Sequence, residues 1–298
     1  MGKTTDLVSV IIPTYNRLGT LKEVLSSYID QKFVKEVVIV DDCSLDKTGQ
    51  YLKSLAKNEQ KIKYFRNPVN KGAPYSRNKA ISKTTGKYIF IGEDDLELTD
   101  NYFKTLLDHM RKEGADIIAG RRIWMQRGEA KKDSFQRANK VKELPVNKNL
   151  LTTNCEVRLI RDTQVSLVDA SMLFKKEIID RISYDEHYRK NSWREETDFQ
   201  LSALENGYNI VYCPHVVSYH YYKNKNTGGN HSRSLLSYET EIFKNNLYMA
   251  RKHWSFLQRE FGINYDFYFR FFVYRAGKLL MTTLSELKAK IRHLGLSA

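Results

Sequence analysis

Val37-Val38-Ile39-Val40 runs straight into Asp41-Asp42, and Tyr88-Ile89-Phe90-Ile91 runs through Gly92 into Glu93-Asp94-Asp95. Short apolar runs of this kind read as strands buried on both faces. Each stops at carboxylates, which a core rejects, so the acids mark strand ends. Val8-Ser9-Val10-Ile11-Ile12-Pro13 is a third such run, closed by proline and followed by Thr14-Tyr15-Asn16. Helical patterns lie between the runs. Leu21, Val24, Leu25, Tyr28 and Ile29 share one face of a 3.6-residue period. Tyr51, Leu52, Leu55 and Ala56 do the same after Ser44 or Asp46 as a cap. Pro74 suits the first turn of a helix through Arg77, Asn78 and Ile81 that Gly86 ends. Ile62 to Phe65 is a weaker strand. A helix from about Asp100 carries Tyr102, Phe103, Leu106, Leu107 and Met110, and Ile117-Ile118-Ala119 is a further strand. The alternation predicts an α/β fold with a mostly parallel central sheet and right-handed crossovers. Ligands of such sheets bind beyond the carboxyl ends of the strands, where the unusual polar residues sit.

The pattern changes after Gly120. Residues 120–165 are basic, polar and irregular, and read as a mobile or inserted segment. Regularity returns at Val168 to Phe174 and Ile210 to Cys213. From Ser234 the sequence is helical and amphipathic through Leu235, Tyr238, Ile242 and Phe243, and it reaches the aromatic-basic run from Phe267 to Arg275. That run suits either an interfacial helix on anionic lipid or a helix packed on the rest of the chain.

The 298 residues suffice for one large domain with an appendage, and 41% hydrophobic with 28% charged residues is ordinary for a globular protein. The net charge of +14 points to anionic partners. No zinc finger, RNA-binding signature or basic zipper accompanies it, so nucleic acid is not expected. Three widely spaced cysteines, Cys43, Cys155 and Cys213, argue against a disulfide framework and for a reducing compartment. No signal peptide is read in the polar start, and no run reaches the roughly 18 apolar residues of a spanning helix. The expectation is a cytoplasmic protein, with peripheral membrane contact through the C-terminus as an option.

Three adjacent acids after a buried strand repel one another unless a cation neutralises them. Mg²⁺ or Mn²⁺, sharing carboxylates with phosphate oxygens, is one solution; a solvated acidic turn capping the next helix is the other. His215 and His220 are separated by an odd number, so a continuing strand puts them on opposite faces, unsuited to one shared metal.

Four motifs then occur in order over roughly the first hundred residues: Val8 to Arg17; Val37 to Ser44; Asn70-Lys71-Gly72-Ala73-Pro74-Tyr75-Ser76-Arg77-Asn78; and Tyr88 to Asp95. Together they resemble the nucleotide-binding half of family 2 glycosyltransferases, which have the GT-A fold. The resemblance implies an inverting, metal-dependent enzyme moving a sugar from a nucleotide-diphosphate donor, UDP by family frequency, to a hydroxyl of a glycan or lipid-linked acceptor. It implies a nucleotide site of Pro13, Thr14, Tyr15, Asn16, Arg17, Asp41, Asp42, Asn70, Gly72, Arg77 and Asp94. It implies metal ligation by Asp95, with Glu93 at the first position of the DxD motif and His220 where many relatives place a histidine. Trp193 to Phe199 resembles the second acidic motif of the family, making Glu196 the general base with Glu195 beside it. In the alternative, Glu195, Glu196 and Asp198 only complement a helix dipole. Trp193 and Asp169 are assigned to the acceptor or donor sugar. A loop with His231 and Arg233 could close over the diphosphate. On this reading residues 1–232 form the catalytic unit, nucleotide-binding to about 119 and acceptor-binding beyond, and 233–298 a C-terminal helical extension.

Two departures stand out: Glu93 replaces the usual Asp, and Cys43 replaces the commoner glycine, which makes a left-handed backbone there unexpected. Competing readings are a sugar-phosphate nucleotidyltransferase, whose Gly-rich phosphate loop is missing here, and a non-catalytic carbohydrate- or nucleic-acid-binding protein. A processive synthase would need spanning helices and a Gln-x-x-Arg-Trp motif, and neither is found.

Overall fold

A computed structural model describes residues 7–221 and 235–293, the side chains of 235–236 and 282–293 excepted. The loop with His231 and Arg233 lies outside the described residues.

The first half follows the alternation. β1 (Val8–Thr14) leads to two short helices, α1 (Leu18–Val24) and α2 (Ser26–Ile29), then β2 (Val34–Asp41), α3 (Thr48–Asn58), β3 (Ile62–Arg66), α4 (Ala73–Ile81) and β4 (Tyr88–Ile91). The single helix expected over residues 21–29 is thus divided at Leu25, although Leu21, Val24, Leu25 and Tyr28 are all buried as the period requires. Ser44 does not cap α3: its hydroxyl accepts from Asn16 N, while Asp46 accepts from Thr48 N at 2.9 Å. Nor does Gly86 end α4, which stops at Ile81. Gly86 instead lies against the start of β1, where a Cβ would meet Leu7 O at 2.6 Å.

β5 (Leu96–Leu98), α5 (Tyr102–Lys112) and β6 (Ile117–Trp124) come next, and α5 buries all five of the side chains assigned to its inner face. The segment expected to be irregular is ordered. It holds the end of β6, α6 (Lys131–Ala138), a small hairpin of β7 (Val146–Asn147) and β8 (Thr152–Thr153), and β9 (Thr163–Gln164). Its elements are too short for a period to show. Side chains tie them together instead: Arg137 bonds Glu129 and Glu156, and Arg121 bonds Asn139. β10 (Leu173–Lys175) is shorter than the run from Val168, whereas β11 (Ile210–His220) is longer than Ile210 to Cys213. Between them α7 (Glu195–Glu205) carries the second acidic motif. α8 (Leu235–Lys252), α9 (Trp254–Phe261) and α10 (Asp266–His293) complete the chain.

Among the described residues the main sheet has nine strands in the order β3-β2-β1-β4-β10-β6-β11-β5, with β9 on β11. It is mostly parallel. β3, β2, β1, β4, β6 and β11 run one way, while β10, β5 and β9 are antiparallel to their neighbours. The carboxyl ends of β1, β2, β4, β6 and β11 therefore meet along one edge. Helices pack on both faces, each over its own apolar cluster. A third cluster joins Met249, Leu257 and Phe267 of the last helices to Val146, Leu151, Tyr188 and Leu201. The C-terminal helices thus share a core with the body of the protein. No described helix is long and apolar enough to cross a membrane.

Candidate active site

The strand ends open into a cavity of about 960 Å³. Its lining includes Pro13, Thr14, Tyr15, Arg17, Asp42, Asn70, Gly72, Arg77, Glu93, Asp94, Asp95, Asp169, Trp193, Glu195, Glu196 and His220. Of the candidate residues, Asn16 and Asp41 do not line it. Asn16, in the left-handed region at φ 54°, turns its Oδ1 to Leu45 N at 2.7 Å. Asp41 is fully buried and spends its carboxylate on Arg66 at 2.5 Å and Ser44 N at 2.7 Å. It shapes the turn below the cavity.

Asp42 takes the position facing inward. Its oxygens accept from Lys71 N at 2.8 Å, Gly72 N at 2.7 Å and Asn67 Nδ2 at 2.7 Å, which pins the loop from Asn70 to Gly72. Gly72 has φ 89°, and a Cβ there would meet Arg189 O at 2.4 Å, so glycine is required twice over. Cys43 overturns the expectation set by its side chain. It adopts φ 67°, held between Asp42 and Ser44, and accepts the left-handed cost of roughly 1–2 kcal/mol.

The acidic wall is built on β4. The Tyr28 hydroxyl donates to Glu93 O at 3.0 Å and accepts from Glu93 N at 3.2 Å, fixing the backbone after the strand. Thr14 donates to Asp94 at 2.8 Å, and Arg17 to Asp95 at 2.7 Å. From β6, Arg122 grips both Glu93 oxygens, at 2.9 and 2.7 Å, and Asp169 at 2.5 Å. His220 at the end of β11 places Nε2 3.3 Å from Asp95 and 3.5 Å from Glu93, with Trp124 packed on its ring. Burial alone would raise the Glu93 carboxyl, but Arg122 and His220 outweigh it and hold the group well below the usual range. Burial, reinforced by Arg122, lowers the His220 imidazole and keeps it neutral. One atom each from Glu93, Asp95 and His220 lies within 4.8 Å of the others. Two carboxylates and a neutral imidazole form a donor set that fits a divalent cation.

Sequence reasoning missed Arg122, which reads as one of many basic residues in an irregular stretch. The available signal was its place on a continuing strand, alternating with Gly120 and Trp124, in a chain with three adjacent acids to neutralise.

The opposite wall is the first turn of α7. Arg194 precedes it at φ 76°, its guanidinium buried and bonded to Leu150 O, Leu151 O and Asn246. Burial pushes the Arg194 pKa down to about 10. Glu195 is buried in an ion pair with Arg77. Glu196 faces the cavity; burial raises its pKa, opposed by Arg77 and aided by Asp169 and Glu93. Asp198 turns away, bonding Tyr188 at 3.0 Å, Lys252 at 2.8 Å and His253 at 3.0 Å, so it anchors α8 and α9 rather than serving the helix end alone. Trp193, Tyr238, Tyr274 and Lys278 close this end of the cavity.

A GT-A sheet with acids at its strand tips is the class of protein this geometry defines, and comparison with known proteins agrees. The model of glycosyl transferase family 2 matches residues 9–182, and the chain belongs to that family. TuaG of Bacillus subtilis (strain 168), named for teichuronic acid biosynthesis, is 35% identical over 130 residues, 43% of this chain and 52% of that protein. Among solved structures, S. aureus TarS 1-349 in complex with UDP-GlcNAc shares the fold at TM-score 0.60 and 20% identity, over 83% of this chain and 66% of that one. GalNAc-T7 with UDP, GalNAc and Mn²⁺ does so at TM-score 0.60 and 16% identity, over 84% and 48%. The chain matches about half or less of the length of the curated relatives.

Proposed function

We propose that this glycosyltransferase moves a sugar from UDP to a hydroxyl of a glycan or lipid-linked acceptor, with inversion, in cell-surface polysaccharide synthesis. The observation that carries the reading is the pairing, across one cavity, of the acidic cluster with Glu196, a carboxylate for which no ion pair is found among the described residues. TarS bound to UDP-GlcNAc and the biosynthetic role in the name of TuaG support the donor and the pathway class.

Thr14, Tyr15, Asp42 and the loop from Asn70 to Gly72 would hold the nucleotide, with Arg17, Arg77 and Asp94 near the diphosphate and ribose. Asp95, His220 and Glu93 would hold a divalent cation, Mn²⁺ or Mg²⁺, a reading supported by the Mn²⁺ in GalNAc-T7. When bound, the cation supplies positive charge to the departing diphosphate. Glu196 takes the proton of the acceptor hydroxyl as its oxygen bonds the anomeric carbon and the bond to the UDP oxygen breaks. Glu195 is less suited, because Arg77 already compensates its charge. Its raised pKa keeps Glu196 a better proton acceptor than an exposed glutamate. Trp193 and Asp169 would contact the sugars. Residues 233–298 would act as a helical extension that completes the acceptor end, and the outward Phe269, Phe272 and Val273 of α10 would rest on an anionic bilayer. Liposome co-sedimentation checks the last point.

The test is UDP release from a panel of UDP-sugars with Mn²⁺, with and without a glycan acceptor. Release that depends on both the metal and Glu196 supports the reading. A nucleoside triphosphate and sugar phosphate condensing instead would make the protein a nucleotidyltransferase.

A further inference from the structure

A second cluster of reactive side chains lies where α5, the residues before β9 and the first half of β11 meet. His109 comes from α5, Asp162 precedes β9, and Cys213 and His215 sit on β11. None of the four lines the cavity. One ligand atom each from His109, Asp162 and Cys213 lies within 4.8 Å of the others. His109 Nδ1 is 2.5 Å from Asp162 Oδ2, and His215 Nε2 is 3.8 Å from Asp162 Oδ1. The two imidazole rings stack with centroids 4.6 Å apart, so both present nitrogen to one carboxylate.

The carboxylate itself is the second observation. The Asp162 side chain is 2% exposed, yet its Oδ1 has no hydrogen-bond partner. A buried carboxylate oxygen left without a partner is costly, and a cation removes that cost. Lys112 stands 3.7 Å from the other oxygen, but it is 68% exposed and holds Glu113 as well. The Cys213 thiol is buried beside the carboxylate, and burial pushes its pKa up to about 12. A thiol, a carboxylate and an imidazole gathered this closely, with a second imidazole 3.8 Å from the same carboxylate, are a donor set for zinc rather than for a hard cation.

We propose that His109, Asp162, Cys213 and His215 bind one Zn²⁺ in a tetrahedral site separate from the cavity. With Zn–N near 2.0 Å and Zn–S near 2.3 Å, tetrahedral ligand atoms stand about 3.3–3.7 Å apart. Side-chain torsions bring the three clustered ligands to this spacing, closing any pair by about an ångström at most and opening the His109–Asp162 contact by about as much, and His215 turns in from beside Asp162 as the fourth. Both histidines are partly exposed, which gives the ion a path from solvent. On binding, the thiol proton leaves to solvent and the thiolate ligates, so affinity falls as pH falls. The site has a structural task. β11 shifts register against β6 between Cys213 and Val217, and the same strand ends at His220 in the acidic cluster. Zinc clamps the irregular stretch to α5 and so fixes the strand that delivers His220.

The test uses the full chain, stripped by chelator and dialysed, then titrated with Co²⁺ and Zn²⁺. One equivalent of Co²⁺ is expected to give thiolate charge-transfer absorption, removed by Zn²⁺, retained in Asp95→Asn and lost in Cys213→Ser. His215→Gln replaces a surface-accessible ligand without opening the core, and should weaken Zn²⁺ at least tenfold. Absence of the thiolate band in the unaltered protein, its persistence in Cys213→Ser, its loss in Asp95→Asn, or unchanged zinc affinity in His215→Gln overturns the proposal.

Discussion

The two walls of the cavity are built from the same residue types and differ in what surrounds them. On the β4 wall, Glu93, Asp94 and Asp95 meet Arg122, Arg17, Thr14 and His220, and Glu93 is held ionised. On the α7 wall, Arg77 serves Glu195, and Glu196 beside it is pushed by burial toward its neutral form. Environment rather than residue type separates a charged platform from a proton acceptor.

The largest effect expected from breaking this contrast is at Glu196. Glu196→Gln should lower kcat by about 10²–10⁴-fold while UDP affinity stays within about threefold, read by steady-state kinetics and calorimetry. Comparable loss in Glu195→Gln alone, with Glu196→Gln unaffected, would exchange the two roles. On the other wall, Arg122→Met leaves Glu93 and Asp169 without their buried counter-charge. It should cost about 3–5 kcal/mol in urea unfolding, much of it recovered when Glu93→Gln is added. A smaller change concerns pH. Glu196 acts when ionised and its pKa is raised, so kcat should rise with pH through a value above that of an ordinary glutamate. Activity is lost as pH falls through that value, and a profile that is flat there removes the group from the reaction. The smallest effect is at the turn below the cavity. Cys43→Gly should stabilise the protein by about 1 kcal/mol or less, because relief of the left-handed strain is partly offset by the freer unfolded chain, as a thermal melt will show.

The acidic run of the β4 wall was legible because its signals are local. A four-residue buried strand and the acids after it are adjacent in sequence, so Tyr88 to Asp95 announces both strand and site. Asp41 and Asp42 mark the limit of that legibility. Adjacent acids at a strand end point to opposite sides, and only the structure shows that Asp41 turns inward to Arg66 while Asp42 faces the cavity. The rest of the site is assembled from distant pieces. Arg122 neutralises acids 29 and 47 positions away, and Tyr238, Tyr274 and Lys278 arrive from helices whose inward face depends on cluster packing with Leu201 and Tyr188. Cys43 was misjudged for a related reason: the bonds that fix its turn come from Asp41 and from Asn16 near the first strand, so tertiary support overrides the residue's own preference.

On this reading the carboxylates of the β4 wall bind a pyrophosphate through a shared cation. UDP titrated calorimetrically into the full chain with and without Mn²⁺ tests it most directly. Binding should be at least tenfold tighter with Mn²⁺ in the unaltered protein, with no enhancement in Asp95→Asn. Equal affinities with and without the metal, or the same enhancement in both proteins, would contradict it.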